Sequence, residues 1–168
     1  QQLSKRGDST YVRGFYIPDY DDHVIMSSDY SAVELCVPGE LSGDPEFVKC
    51  FSTRPPGDLH SEAAAAMLGM PIEDFNKLAF LPKDVTELNG IKFVNTKGEQ
   101  LSPKDFRKWA RNALGKGANF SYFFSGALSS LQETLGWSDE EHWSKVEAYR
   151  NRFPVAEKWR TDTIDFAV

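Results

Sequence analysis

Apolar and polar positions alternate through Tyr11-Val12-Arg13-Gly14-Phe15-Tyr16-Ile17, a period of two that predicts a short strand. Pro18 to Asp22 is turn material, and the apolar run Val24-Ile25-Met26 predicts a second short strand running into Ser27-Ser28-Asp29. Beyond Asp29 the pattern becomes helical. Ala32-Val33-Glu34-Leu35 reads as a helix start, and Pro38-Gly39 is expected to shorten or kink that helix. Asp44-Pro45 is an N-cap with proline at the first helical position, leading into Glu46–Phe51. After the Pro- and Gly-rich loop Thr53–Gly57, Asp58 can cap a helix through Ala63–Ala66, closed by Gly69. Pro71 opens another through Phe75 and Leu78. Asn89-Gly90 and Lys97-Gly98 flank Ile91–Val94, so Val85–Gln100 reads as a β-hairpin-like insertion. Ser102-Pro103 opens a long helical pattern to about Gly126. Ser138 and Glu141 form a capping box for a helix to about Arg152, and a last helix follows Pro154. The predicted class is α+β, mainly α-helical, with a strand edge on the N-terminal side.

Composition narrows this little. The 168 residues (18.9 kDa) carry 19 Lys and Arg against 25 Asp and Glu, so the formal charge is 19 − 25 = −6. With 40% hydrophobic and 26% charged residues the chain is of ordinary globular type, one domain with room for a second small lobe. No run approaches the roughly 20 apolar residues of a membrane span, and no signal-peptide pattern opens the chain, so no membrane partner is expected. The net acidity argues against a general polyanion binder but leaves room for a local basic site. Two cysteines, Cys36 and Cys50, are too few for a disulfide scaffold, which favours a reducing compartment. The first residue is Gln, and the N-terminal sequence reads as the inside of a longer protein.

Four features could carry chemistry, each with a plainer structural explanation beside it. Asp29 ends an apolar strand, where a rigid carboxylate could face a crevice and hold a divalent cation, or could simply cap the next helix. Glu34 suits a solvated first turn. His60 lies in the first turn after Asp58, where it could touch a phosphate or rest at the surface. From Lys104 to Arg111, with Lys116, the chain gathers five basic residues and one acid. Lys116, Phe120 and Phe124 fall at i, i+4 and i+8, one helical stripe. An ammonium followed by rings suits a nucleotide, phosphate on the cation and base and sugar on the rings. An amphipathic helix with a solvated basic face explains the same pattern. Gly115 and Gly117 weigh against that explanation, since each costs a helix about 1 kcal/mol relative to Ala and calls for a compensating close approach.

Together these residues resemble family A DNA polymerases. Asp29-Tyr30-Ser31-Ala32-Val33-Glu34-Leu35, then Leu41-Ser42-Gly43-Asp44, resembles motif A. Gly57-Asp58-Leu59-His60, then Ala63-Ala64, is similar to the family's Gly-Asp-Ile-His element, and Lys116-Gly117-Ala118-Asn119-Phe120 to the core of motif B. Gln1–Arg6 resembles the element that precedes motif A, and Arg150–Pro154 sits where the family has a Tyr-Phe-Glu-Arg-Tyr-Pro-like segment. The order is the family's and the elements span nearly the whole chain. The resemblance implies a partial palm with motif A in a short palm-edge β segment over residues 1–43, and a fingers subdomain with motif B over 44–168, with an insertion at about 85–100.

Residue roles follow from the same resemblance. Asp29 and the backbone carbonyl of Tyr30 would ligate Mg²⁺, two ions in the complete enzyme, and Glu34 would exclude a ribose 2′-hydroxyl. His60 and Lys116, with Arg111 as a candidate, would hold the dNTP triphosphate. Phe120 would lie against sugar and base, and Phe124 near the template base. Arg6, Asn119 and Ser125 would meet the primer-template DNA. Cytoplasmic location in a bacterial or phage-infected cell is implied. Several positions depart from the pattern. The motif B arginine belongs four residues before the lysine, where Asn112 stands, and Arg111 is five before. On a regular helix Arg111 and Lys116 are about 140° apart, so either the helix is distorted near Gly115 or Arg111 has another role. Phe124-Ser125 replaces Tyr-Gly, and Cys36 replaces a basic residue, which suggests a divergent, phage-like branch. The family's third motif, a His-Asp-Glu element with the second metal-binding aspartate, is not in the sequence, nor is a thumb. The chain alone is therefore expected to be inactive, its partners including the remainder of the polymerase. Two other readings remain: a non-catalytic nucleotide- or DNA-binding module with the fingers fold, and a single-subunit RNA polymerase fragment, against which Glu34 argues.

Overall fold

The computed structural model describes residues 17–26, 32–54, 56–125 and 129–167, with the side chains of 124, 125, 129, 130 and 134 left aside. Contacts divide the chain into two compact units, Gln1–Ser31 and Ala32–Val168. In the first, the amide of His23 donates to the carbonyl of Tyr20 at 3.0 Å, and the two rings meet edge to face. Val24–Met26 forms no strand: no ladder partner lies among the described residues of this unit, and the three side chains are exposed. The Tyr11–Ile17 strand and the motif A segment 27–31 fall almost wholly outside the described residues, as do Arg6, Asp29 and Tyr30.

The second unit is helical, and four of its helices start at a side-chain cap. In chain order it begins with α1 (Val33–Ser42), α2 (Pro45–Ser52), α3 (Leu59–Leu68) and α4 (Ile72–Lys77). A small hairpin, β1 (Glu87–Leu88) and β2 (Ile91–Lys92), precedes α5 (Pro103–Ala110). Two π-helical segments, Arg111–Lys116 and Ser121–Ser125, bracket α6 (Gly117–Phe120). Then come α7 (Ser129–Leu135), α8 (Asp139–Arg152) and α9 (Pro154–Ala167). The α+β, mainly helical class is as expected. Helix α1 runs unbroken through Pro38 to a left-handed Gly43. A proline inside a helix forfeits one hydrogen bond; here Pro38 and Gly39 are buried, Gly39 directly against Phe47. Helix α7 is an element that the pattern did not announce.

Asn89 and Gly90 turn the hairpin with φ of 51° and 79°, the paired left-handed conformation of a type I′ turn. Its far end is anchored by Phe93, fully buried and stacked on Phe106 of α5 with ring centroids 5.1 Å apart. Phe47, Tyr149 and Phe153 pack edge to face or tilted in the centre of the core. Among the described residues no helix is long and apolar enough to cross a membrane.

One carboxylate joins the ends of this unit. Asp44 is fully buried; its Oδ1 caps α2 by accepting from the amides of Glu46 (2.9 Å) and Phe47 (3.4 Å). Its Oδ2 accepts from Val155 (3.1 Å) and Ala156 (3.0 Å) at the start of α9. One side chain thus satisfies the orphan donors of two helices far apart in sequence. Each cap is worth roughly 1 kcal/mol, so Asp44→Ala is expected to lower unfolding free energy by about 2–3 kcal/mol in urea titration. Asp44→Asn should recover about half, because its amide can accept at one helix only. A loss below about 0.5 kcal/mol for the alanine variant would contradict the double cap.

Candidate nucleotide-binding site

The site grows from the start of α3. Asp58 accepts the amide of His60 at 3.2 Å and the hydroxyl of Ser61 at 2.8 Å. It also pairs with Arg111 across the chain: Nε to Oδ2 at 2.5 Å and Nη2 to Oδ1 at 3.1 Å. Burial works against the Asp58 charge, but these hydrogen bonds from Arg111 and Ser61 and the positive charge of Arg111 win, and its pKa is lowered. The bidentate pair fastens the start of α3 to the first π segment.

That segment packs along α3, whose Ala63, Ala64 and Ala65 are buried. Gly115 makes the approach possible. A Cβ there would stand 1.8 Å from the carbonyl oxygen of His60, and at Gly117 it would stand 2.7 Å from Leu131 Cδ2. These are the close approaches that two glycines inside a helix call for.

The π segment also resolves the spacing of Arg111 and Lys116. A π turn bonds i to i+5 rather than i+4, which brings residues five apart to one face. Both cations therefore act on His60. Its pKa is lowered chiefly by burial, then by the charge of Arg111, with Lys116 adding to this; Asp58 and Glu34 oppose. The imidazole is thus neutral at neutral pH. Lys116 is exposed, its ammonium 5.4 Å from the centroid of the Phe120 ring. Phe120 in turn lies nearly parallel to His60, 6.3 Å away with 24° between planes. His60, Lys116 and Phe120 are together, with Arg111 committed to Asp58 beside them. Glu34 is exposed in the first turn of α1.

Asn119, expected to meet DNA, is fully buried and presents no surface. Its amide bonds Tyr149, Leu59 and His60, an interior role that a polar residue inside a packed helix interface must find. Phe124 and Ser125 end the second π segment, and their side chains lie outside the description. Asp58 and Tyr149 are site residues that sequence reasoning passed over. For Asp58 the signal was present, since it precedes His60 by two. For Tyr149 there was none beyond a half-polar ring in a helix. Arg152 bridges Glu46 of α2 (2.6 Å) and Glu62 of α3 (2.8 Å), holding α8 against both. The residues that the resemblance assigns to Mg²⁺, Asp29 and Tyr30, are outside the described set. Among the described residues no three His, Cys, Asp or Glu side chains come together to hold a metal ion.

Comparison with known proteins places the chain among DNA polymerase sequences. Residues 1–79 match the family model for DNA polymerase family A. Over 153 residues the chain is 26% identical to DNA polymerase I of Streptococcus pneumoniae serotype 4 (strain ATCC BAA-334 / TIGR4), covering 91% of this chain and 14% of the relative. It is 21% identical over 163 residues to DNA polymerase I of Caldicellulosiruptor bescii, covering 97% of this chain and 15% of the relative. The chain thus spans about one seventh of the length of the curated relatives it matches.

Proposed function

We propose, on the premise that this chain belongs to DNA polymerase family A, that it is the part of a template-directed DNA polymerase that receives the incoming dNTP. The observation that carries the reading is the meeting of His60 with Lys116 and Phe120, which lie more than 50 residues further along the chain. Lys116 and the ring of His60 hold the triphosphate, and Phe120 lies against the sugar and base. Arg111 keeps the start of α3 in place through Asp58 and adds positive potential. Glu34, at the start of α1, excludes a ribose 2′-hydroxyl.

Residues 1–43 then belong to the palm and 44–168 to the fingers, with Arg6, Phe124 and Ser125 toward the primer-template. Asp29 and the carbonyl of Tyr30 would hold Mg²⁺, which when bound stabilises negative charge on reacting oxygens. The reaction served is attack of the primer 3′-oxygen on the α-phosphorus, with pyrophosphate leaving. The rest of the palm and the thumb come from the remainder of the polymerase.

A hydrogen bond to a charged group is worth about 1.5–3 kcal/mol. Lys116→Ala in the polymerase carrying this segment is therefore expected to raise KM for dNTP about 10- to 100-fold in primer extension. Primer-template affinity should stay unchanged. An unaltered dNTP dependence would sink the reading.

A further inference from the structure

The fully buried amide of Asn119 is used at both ends. The hydroxyl of Tyr149 donates to its Oδ1 at 2.7 Å. Its nitrogen lies 3.4 Å from the carbonyl oxygen of Leu59 and 2.9 Å from Nδ1 of His60. A backbone carbonyl can only accept, so the edge of the amide turned toward Leu59 and His60 is the NH₂ edge. The reversed amide would set its oxygen against that carbonyl, with no proton between them.

An NH₂ donor at 2.9 Å leaves Nδ1 of His60 only the acceptor role, and the ring proton then sits on Nε2. No described residue hydrogen-bonds Nε2, and the ring is half-buried with one side toward Phe120. We infer that Asn119, oriented by Tyr149 and the Leu59 carbonyl, is a positioning residue that fixes His60 as the Nε2–H tautomer, so that it offers an N–H donor, not a lone pair, to a phosphate oxygen. The identity of that ligand rests on the nucleotide role proposed above; the tautomer does not. The arrangement explains why a fully buried polar residue stands one position before Phe120. Apolar residues there would leave Nδ1 free to carry the proton and turn a lone pair toward the anion, which repels it.

The test is nitrogen NMR of the chain labelled with ¹⁵N-histidine, at a pH where the ring is neutral, with the His60 signals assigned by their loss in His60→Gln. Wild type is expected to give a pyrrole-type Nε2 and a pyridine-type Nδ1. Asn119→Asp, which replaces the NH₂ by an acceptor oxygen, should reverse the two. Tyr149→Phe, which keeps the ring and its packing, should give a mixture of both forms. A wild-type ring protonated at Nδ1 overturns the inference, as does an Nε2–H ring unchanged in both variants. Inorganic tripolyphosphate should shift the wild-type Nε2 signal. If the tautomer is as inferred and tripolyphosphate leaves Nε2 unmoved, the positioning role stands and the nucleotide role of His60 fails.

Discussion

Gly115→Ala is expected to destabilise the chain by at least about 3 kcal/mol, the upper end of what overpacking costs. The expectation is sharp because local and tertiary physics disagree in sign. Inside a helix Ala is favoured over Gly by about 1 kcal/mol, so propensity alone forecasts a more stable protein. The structure forecasts the opposite, because the added methyl would stand 1.8 Å from the carbonyl oxygen of His60. The obstacle is helix backbone, which cannot rotate aside as a flexible side chain would. To admit the methyl, α3 must move from the π segment. That separation strains the Asp58–Arg111 pair and carries His60 away from Lys116 and Phe120. Urea unfolding of the two proteins side by side decides it. A midpoint shifted upward would mean that the contact between α3 and the π segment is not as described. The same substitution in the polymerase should raise KM for dNTP, since the groups proposed to hold the triphosphate would no longer share a face.

Most helix starts were legible because each is written in a few neighbouring residues. Asp44-Pro45, Asp58, Ser102-Pro103 and the Ser138–Glu141 capping box act within one turn, and each begins a helix. The Asn89-Gly90 turn is equally local. The second duty of Asp44, capping α9 across more than 100 residues, left no trace in its own neighbourhood. Helix α7 was not anticipated, although Leu131 and Leu135, one turn apart, are both buried. The continuity of α1 through Pro38 was not legible, because local rules weigh the lost hydrogen bond and not the packing of Gly39 on Phe47.

The candidate site divides in the same way. Lys116 and Phe120 were legible from spacing, and His60 from its place after a cap. The π turn between Arg111 and Lys116 was not, because nothing in the spacing announces it. Gly115 and Gly117 hinted that something crowds that stretch without saying what. The burial of Asn119 was not legible, because a sequence offers no sign of burial for one polar residue inside a helix. Its partner Tyr149 lies 30 residues away in α8.

If this chain carries part of the catalytic apparatus of a DNA polymerase, as proposed, Asp29 is the residue on which that proposal turns. Its carboxylate is proposed to bind a divalent cation at the reacting phosphate, where charge stabilisation is worth several kcal/mol. Each 1.36 kcal/mol is tenfold in rate, so removing that carboxylate should cost about 1,000-fold or more. Asn at this position would keep the size and lose the charge, which separates a role in cation binding from one in capping α1. The decisive measurement is single-turnover primer extension by the complete polymerase, comparing wild type with Asp29→Ala and Asp29→Asn at equal primer-template occupancy. Both variants are expected to bind DNA and extend the primer at a rate at least about 1,000-fold lower. Extension at the wild-type rate by either variant would contradict the proposal.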